Sequence, residues 1–158
     1  MKRLLLPLLA ALVLPTAVNA EATNDYMLKR SEARKLYREG KFSEMKNICE
    51  ELIEISPDNP VGYLCKGVAL GIVPKSERKS REALKNFTKA IELDPEYYEA
   101  YFLRGFLQFS MRRGEFSKLQ MNGCSDIKKA YLNNYPDALE YVKRQRSFLI
   151  KNKCSGFF

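Results

Sequence analysis

Sets of residues in this chain recur at near-constant offsets, and that recurrence restricts the fold more than any other feature. Lys29, Ala33 and Leu36 are matched by Tyr63, Gly67 and Leu70, an offset of 34 residues. Tyr63 and Gly67 are matched in turn by Tyr101 and Gly105, an offset of 38. Met45, Cys49, Leu52, Ile55 and Pro57 are matched by Ala83, Phe87, Ala90, Leu93 and Pro95, again at 38. Ala83, Phe87 and Ala90 then map onto Gly123, Ile127 and Ala130 at 40. The extra residues fall around Pro74 and within 115–122, between periodic segments. A shared period interrupted only at connections is the signature of helical units that bury their apolar faces by stacking on one another.

The segment 83–95 shows the local logic. Ala83, Phe87 and Ala90 share one helical face: the alanines allow close approach and the phenylalanine fills the space between them. Asp94-Pro95 stops the helix, because the residue before a proline is driven out of the α region, and Pro95 is suited to open the next one. The same patterning predicts seven helices, near 26–38, 43–55, 60–72, 83–94 (after a charged loop at 75–79 that can wind into it), 96–111, 124–132 and 137–151. Gly40 is placed for a left-handed C-cap after the first, and Ser43 for an N-cap of the second. No strand-like alternation occurs, so the fold class is all-α.

The first 20 residues read as a Sec-type signal peptide rather than part of the fold. Lys2-Arg3 precede an apolar stretch from Leu4 to Val18, and Val18-Asn19-Ala20 offers small residues for cleavage before Glu21. The stretch is short for a membrane-spanning helix, which needs about 20 apolar residues. The expected organisation is therefore a signal peptide (1–20), a polar segment (21–25), a helical repeat domain (26–151) and a tail (152–158). Units of the repeat domain span 26–59, 60–97 and 98–135, with a capping helix at 136–151. Export implies periplasm, an organelle lumen or the extracellular space. The net charge of +8 falls to +6 without Lys2 and Arg3, too little to argue for a nucleic-acid partner.

With a 34-residue period and helix–turn–helix units, the chain resembles the tetratricopeptide repeat (TPR) family. The residues carrying the resemblance are Tyr63, Gly67, Ala83, Phe87, Ala90 and Pro95, then Tyr101, Gly105, Gly123, Ile127 and Ala130. Ala33, Phe42 and Pro57 mark a weaker first unit, in which Met45 and Leu52 replace the usual alanines. The resemblance implies a right-handed superhelix of antiparallel helix pairs, with a concave groove lined by the first helix of each pair. It implies a protein-interaction module, an adaptor or scaffold that binds a peptide or partner protein there. The groove-facing candidates are Met27, Arg30, Arg34 and Tyr37; Val61, Leu64 and Val68; and Glu99, Phe102, Phe106 and Phe109. The three phenylalanines read equally well as internal packing, and the arginines as an ordinary solvated face. Cys65 and Leu103 stand where a carboxylate-clamping TPR groove needs polar groups, so that specificity does not transfer.

The chain has no His, which removes His-based triads, the commonest general base and most catalytic zinc sites. No phosphate loop, CxxC or HExxH is present, and no enzyme activity, cofactor or metal is expected. The rival reading is surface attachment. Lys143, Arg144, Arg146, Lys151 and Lys153 crowd the C-terminus beside Phe148, Leu149, Phe157 and Phe158, a combination suited to an anionic membrane or cell-wall polymer. Four cysteines in an exported chain suggest disulfides, with three connectivities open. The repeat geometry favours Cys49–Cys65, linking the second helix to the third, and Cys124–Cys154, pinning the tail. The alternative for Cys49 and Cys65 is a pair of buried free thiols.

Overall fold

A computed structural model describes residues 14–71, 76–111, 118–151 and 154. They form seven α-helices: α1 (Leu14–Arg38), α2 (Phe42–Ile55), α3 (Pro60–Gly71), α4 (Glu77–Leu93), α5 (Tyr98–Ser110), α6 (Lys118–Leu132) and α7 (Pro136–Lys151). No strand occurs among the described residues. Each helix packs against the next, and α3 also reaches α5, giving a helical-repeat superhelix. Residues 1–13 of the expected leader lie outside the described residues. From Leu14 the backbone runs as helix into α1.

Local chemistry explains the boundaries. Ser76 is extended before α4, and its Oγ accepts the Lys79 N–H at 3.3 Å, satisfying one of the free donors of the first turn. At the other end the Asp94 N–H donates to the Ala90 carbonyl, and Pro95 prevents continuation. The repeat equivalents, Ser56 on the Leu52 carbonyl ahead of Pro57, end α2 in the same way. The first and sixth helices end differently. Gly40 (φ 70°) and Asn134 (φ 59°) adopt left-handed backbone. Lys41 N–H then reaches back to the Leu36 carbonyl, and Tyr135 N–H to that of Ala130, the long bond of a Schellman cap.

Several boundaries differ from expectation. Helix α1 begins at Leu14 rather than near 26, so the polar segment 21–25 is helical, and α4 begins at Glu77, inside the charged run 75–79. Pro60 opens α3, but Pro95 lies in the turn and α5 begins at Tyr98. Phe42 rather than Ser43 follows the cap of α2: Lys41 occupies that position without a side-chain hydrogen bond, so Ser43 sits inside the first turn. Helix α6 starts at Lys118, six residues before the expected Cys124. Met121 and Asn122 there face solvent and Gly123 has no side chain, so the apolar period is silent until Cys124.

Helix pairs close around small residues. A Cβ on Gly67 would stand 2.5 Å from Cε1 of Phe87, so the absent side chain lets that ring enter the α3–α4 interface. In the α5–α6 pair both facing positions are glycine: a Cβ on Gly105 would meet the Gly123 carbonyl oxygen at 2.7 Å, and one on Gly123 the Gly105 oxygen at the same distance. Ala83, Ala90, Ile127 and Ala130 are fully buried in the same core, which runs on through Ala138, Val142 and Leu149 of α7. A second, smaller core joins Tyr26, Ala33 and Leu36 to Met45, Cys49, Leu52 and Cys65.

Two disulfides tie these layers. Cys49–Cys65 joins α2 to α3 with Cα atoms 5.5 Å apart. Cys124–Cys154 holds the chain beyond α7 against α6 with Cα atoms 5.6 Å apart. One polar network missed by the sequence reading crosses the C-terminal half. The Arg104 guanidinium forks onto Asp126, Nε to Oδ2 at 2.7 Å and Nη2 to Oδ1 at 2.8 Å, while Nη1 donates to Thr88 Oγ1 at 3.1 Å. It links α4, α5 and α6, and both charged groups are largely buried. A bidentate fork of this kind adds geometric specificity as well as energy.

Candidate functional site

The first helices of the units, α1, α3 and α5, face a concavity of about 680 Å³. Its floor is apolar: Leu64, Cys65 and Val68 of α3, Met45 and Leu52 of α2, and Leu103 of α5. Along one wall run Arg30, Arg34 and Arg38 of α1, spaced by four residues and therefore in one row, with Tyr37 beside them. Glu99 from the first turn of α5 and Asp137 from the first turn of α7 stand elsewhere on the rim, with Tyr97 and Tyr135.

Electrostatics distinguish the two sides. Among the described residues, Arg30, Arg34 and Glu99 have no salt bridge and no side-chain hydrogen bond. Burial holds the Glu99 carboxyl above its ordinary range, Asp137 pushes it further, and Arg34 and Arg30 pull the other way without prevailing. Charges on α1 are thus felt at Glu99 without touching it. Burial also raises the Tyr97 phenol to about 12, with Glu99 adding to the effect. The Tyr135 phenol is raised by burial, then by Glu99 and Asp137, and its hydroxyl donates to Asp137 Oδ2 at 3.2 Å.

Of the candidates named from sequence, Arg30, Arg34, Tyr37, Val61, Leu64, Val68 and Glu99 line this concavity. The phenylalanines do not. Phe102 is buried, with its ring centroid 5.6 Å from Tyr135 and 5.8 Å from Tyr141. Phe106 is 46% exposed but stands edge-on to Tyr141 at 5.7 Å, and Phe109 is buried edge-on to Phe148 at 5.4 Å. All three turn towards α7 and the turn before it, not into the groove. Met27 is exposed and outside the lining. Arg38, Tyr97, Tyr135 and Asp137 also line the concavity, beyond the positions named from sequence. Arg38 was recoverable as the next member of the Arg30–Arg34 row. Tyr135 and Asp137 were not, because they come from outside the first-helix positions.

The structural repeat positions Gly67, Ala83, Phe87, Ala90, Gly105 and Ala130 are buried at the helix interfaces, and Pro95 lies in an exposed turn. Leu149 is fully buried, Phe148 packs on Phe109, and Arg144 pairs with Glu140 at 2.5 Å. Lys153, Phe157 and Phe158 lie outside the described residues. No described helix is long and apolar enough to cross a membrane, and no group of three or more potential ligand residues could hold a metal ion among the described residues.

No protein-family model matches the chain. One curated relative, the UDP-N-acetylglucosamine–peptide N-acetylglucosaminyltransferase of Giardia intestinalis, is 31% identical over 58 residues. That stretch is 37% of this chain and only 4% of the transferase. Among solved structures, the TPR2B domain of yeast Sti1, determined as a complex with pHsp70, matches with a TM-score of 0.63 and 19% identity. The match covers 81% of this chain and 94% of that one.

Proposed function

The chain has the fold of a TPR domain, and on that premise we propose that it is an exported interaction module holding a segment of a partner protein in its concave groove. One observation carries the reading: a concavity with an apolar floor whose wall presents a row of arginines, of which Arg30 and Arg34 have no ion pair among the described residues. Leaving charged groups unpaired beside an apolar surface contributes nothing to folding, whereas a partner that covers them converts both into binding energy. The solved TPR2B domain of yeast Sti1 supports the same reading, since it was determined with pHsp70. The likeness does not extend to that ligand, because Cys65 and Leu103 line this groove as apolar residues.

The test is capture of partners from the exported fraction with wild-type protein and with Val61→Arg, which places a long charged side chain in the groove from its half-buried position at the start of α3. Recovery of one defined protein by the wild type, and its loss with Val61→Arg at unchanged melting temperature, is the expected result. Equal recovery by both would place binding elsewhere. Export itself is checked by N-terminal sequencing of the native protein: a start at Glu21 is expected, and retention of residues 1–20 would contradict it.

A further inference from the structure

The groove is electrically two-sided, and that restricts the segment it can accept. The arginine row belongs entirely to α1, whereas the two carboxylates come from the opposite end of the array, Glu99 from α5 and Asp137 from the start of α7. Leu64, Val68 and Leu103 lie on the apolar floor of the same concavity. Glu99 responds electrostatically to Arg30 and Arg34, yet no ion pair joins them, so the opposed charges act across the concavity and do not cancel by contact. Glu99 is half-buried and shares the concavity with the like-charged Asp137, so a cation placed there would offset both costs.

We propose that the groove takes a peptide segment of mixed charge in one direction, with an acidic residue on the Arg30–Arg34–Arg38 row and a basic residue against Glu99 and Asp137. An apolar side chain between them covers Leu64, Val68 and Leu103. Arginine is suited to the first contact because its planar fork matches a carboxylate, and a lysine or arginine of the partner supplies the donors at the second. Directionality follows from repulsion as much as attraction. A uniformly acidic segment sets like charge against Glu99 and Asp137, a uniformly basic one sets it against the arginine row, and reversal of the mixed segment does both.

This inference rests on the groove-binding reading, and the experiment separates the two. A phage-displayed library of random dodecapeptides is selected on the wild-type protein, on Arg34→Glu and on Glu99→Lys. Arg34 is exposed, so its replacement leaves the fold intact should Glu99→Lys prove unstable. Peptides enriched on wild type should carry an acidic and a basic residue flanking an apolar one. Synthetic copies should lose about tenfold or more in affinity on either variant. Peptides selected on Glu99→Lys should exchange their basic residue for an acidic one. Wild-type selection of purely acidic or purely apolar peptides, competed away by Val61→Arg, would overturn the mixed-charge inference and leave groove binding standing. No enrichment over background would overturn both.

Discussion

Helices α1 and α5 occupy equivalent places in the repeat, yet their matching positions carry opposite chemistry. Arg30 and Arg34 correspond through the offsets to Leu64 and Val68 on α3, and these to Phe102 and Phe106 on α5. The series runs from charged through aliphatic to aromatic along the array. What covers each position explains the trend. On α5 the rings meet Tyr135 and Tyr141, as α7 lies over that face as the terminal layer. On α1 the arginines line the open groove. The same backbone position can therefore be core at one end of a stacked array and binding surface at the other. The repeat register alone does not say which.

The contrast is open to breakage, most severely at α5. Phe102→Ala should destabilise by about 3–5 kcal/mol, as for a buried ring, whereas Arg30→Ala should change stability by less than about 1 kcal/mol. Chemical denaturation of the two variants compares them directly, and equal costs would erase the distinction. Replacing Phe102 and Phe106 together by Ser should for the same reason damage folding before binding.

Next in size is the C-terminal staple. Changing Cys124 and Cys154 together to Ser should cost about 3–4 kcal/mol in the chain-entropy model, the cysteines being 30 residues apart in sequence. Thermal melts of this variant with and without reductant check the figure; a Cys124/Cys154 variant as stable as oxidised wild type would show that the tail needs no tie. Polar links should separate the halves in the same direction. Asp126→Ala leaves the buried Arg104 guanidinium without its fork and should cost about 3 kcal/mol. Glu51→Ala, which removes the partly exposed partner of Lys29 between α1 and α2, should cost less than about 1 kcal/mol.

The smallest effect belongs to Glu99. Its folded-state pKa is raised, so the ionised carboxylate opposes folding above that pKa, and the penalty fades as pH falls through it towards the ordinary carboxyl range. Glu99→Gln should therefore raise the melting temperature at neutral pH, and the gain should vanish in acid. A gain that persists unchanged in acid would assign it to something other than ionisation.

Most of the fold was legible because its signals are local and repeated. Ala83, Phe87 and Ala90 announce a stacking face, Pro57 and Pro95 announce stops, and Gly40 announces a cap. The start of α6 was hidden because Met121 and Asn122 face solvent and Gly123 has no side chain. The groove was half legible. Arg30, Arg34, Leu64 and Val68 follow from repeat positions alone, whereas the fate of Phe102 and Phe106 depends on where α7 folds back, a long-range fact with no local trace. The Arg104–Asp126 fork was invisible for the same reason, since its partners are 22 residues apart and each reads singly as a surface charge.

The central claim is that a partner segment lies on the concave face. Methyl NMR of the protein, titrated with the partner segment recovered by capture, measures this most directly. Val61, Leu64, Val68 and Leu103 line the groove, while Leu132, Leu139 and Ile150 are exposed outside it. The account predicts that the first four methyl sets shift on titration while the last three stay in place. Shifts confined to Leu132, Leu139 and Ile150, with the groove methyls unmoved, would contradict it.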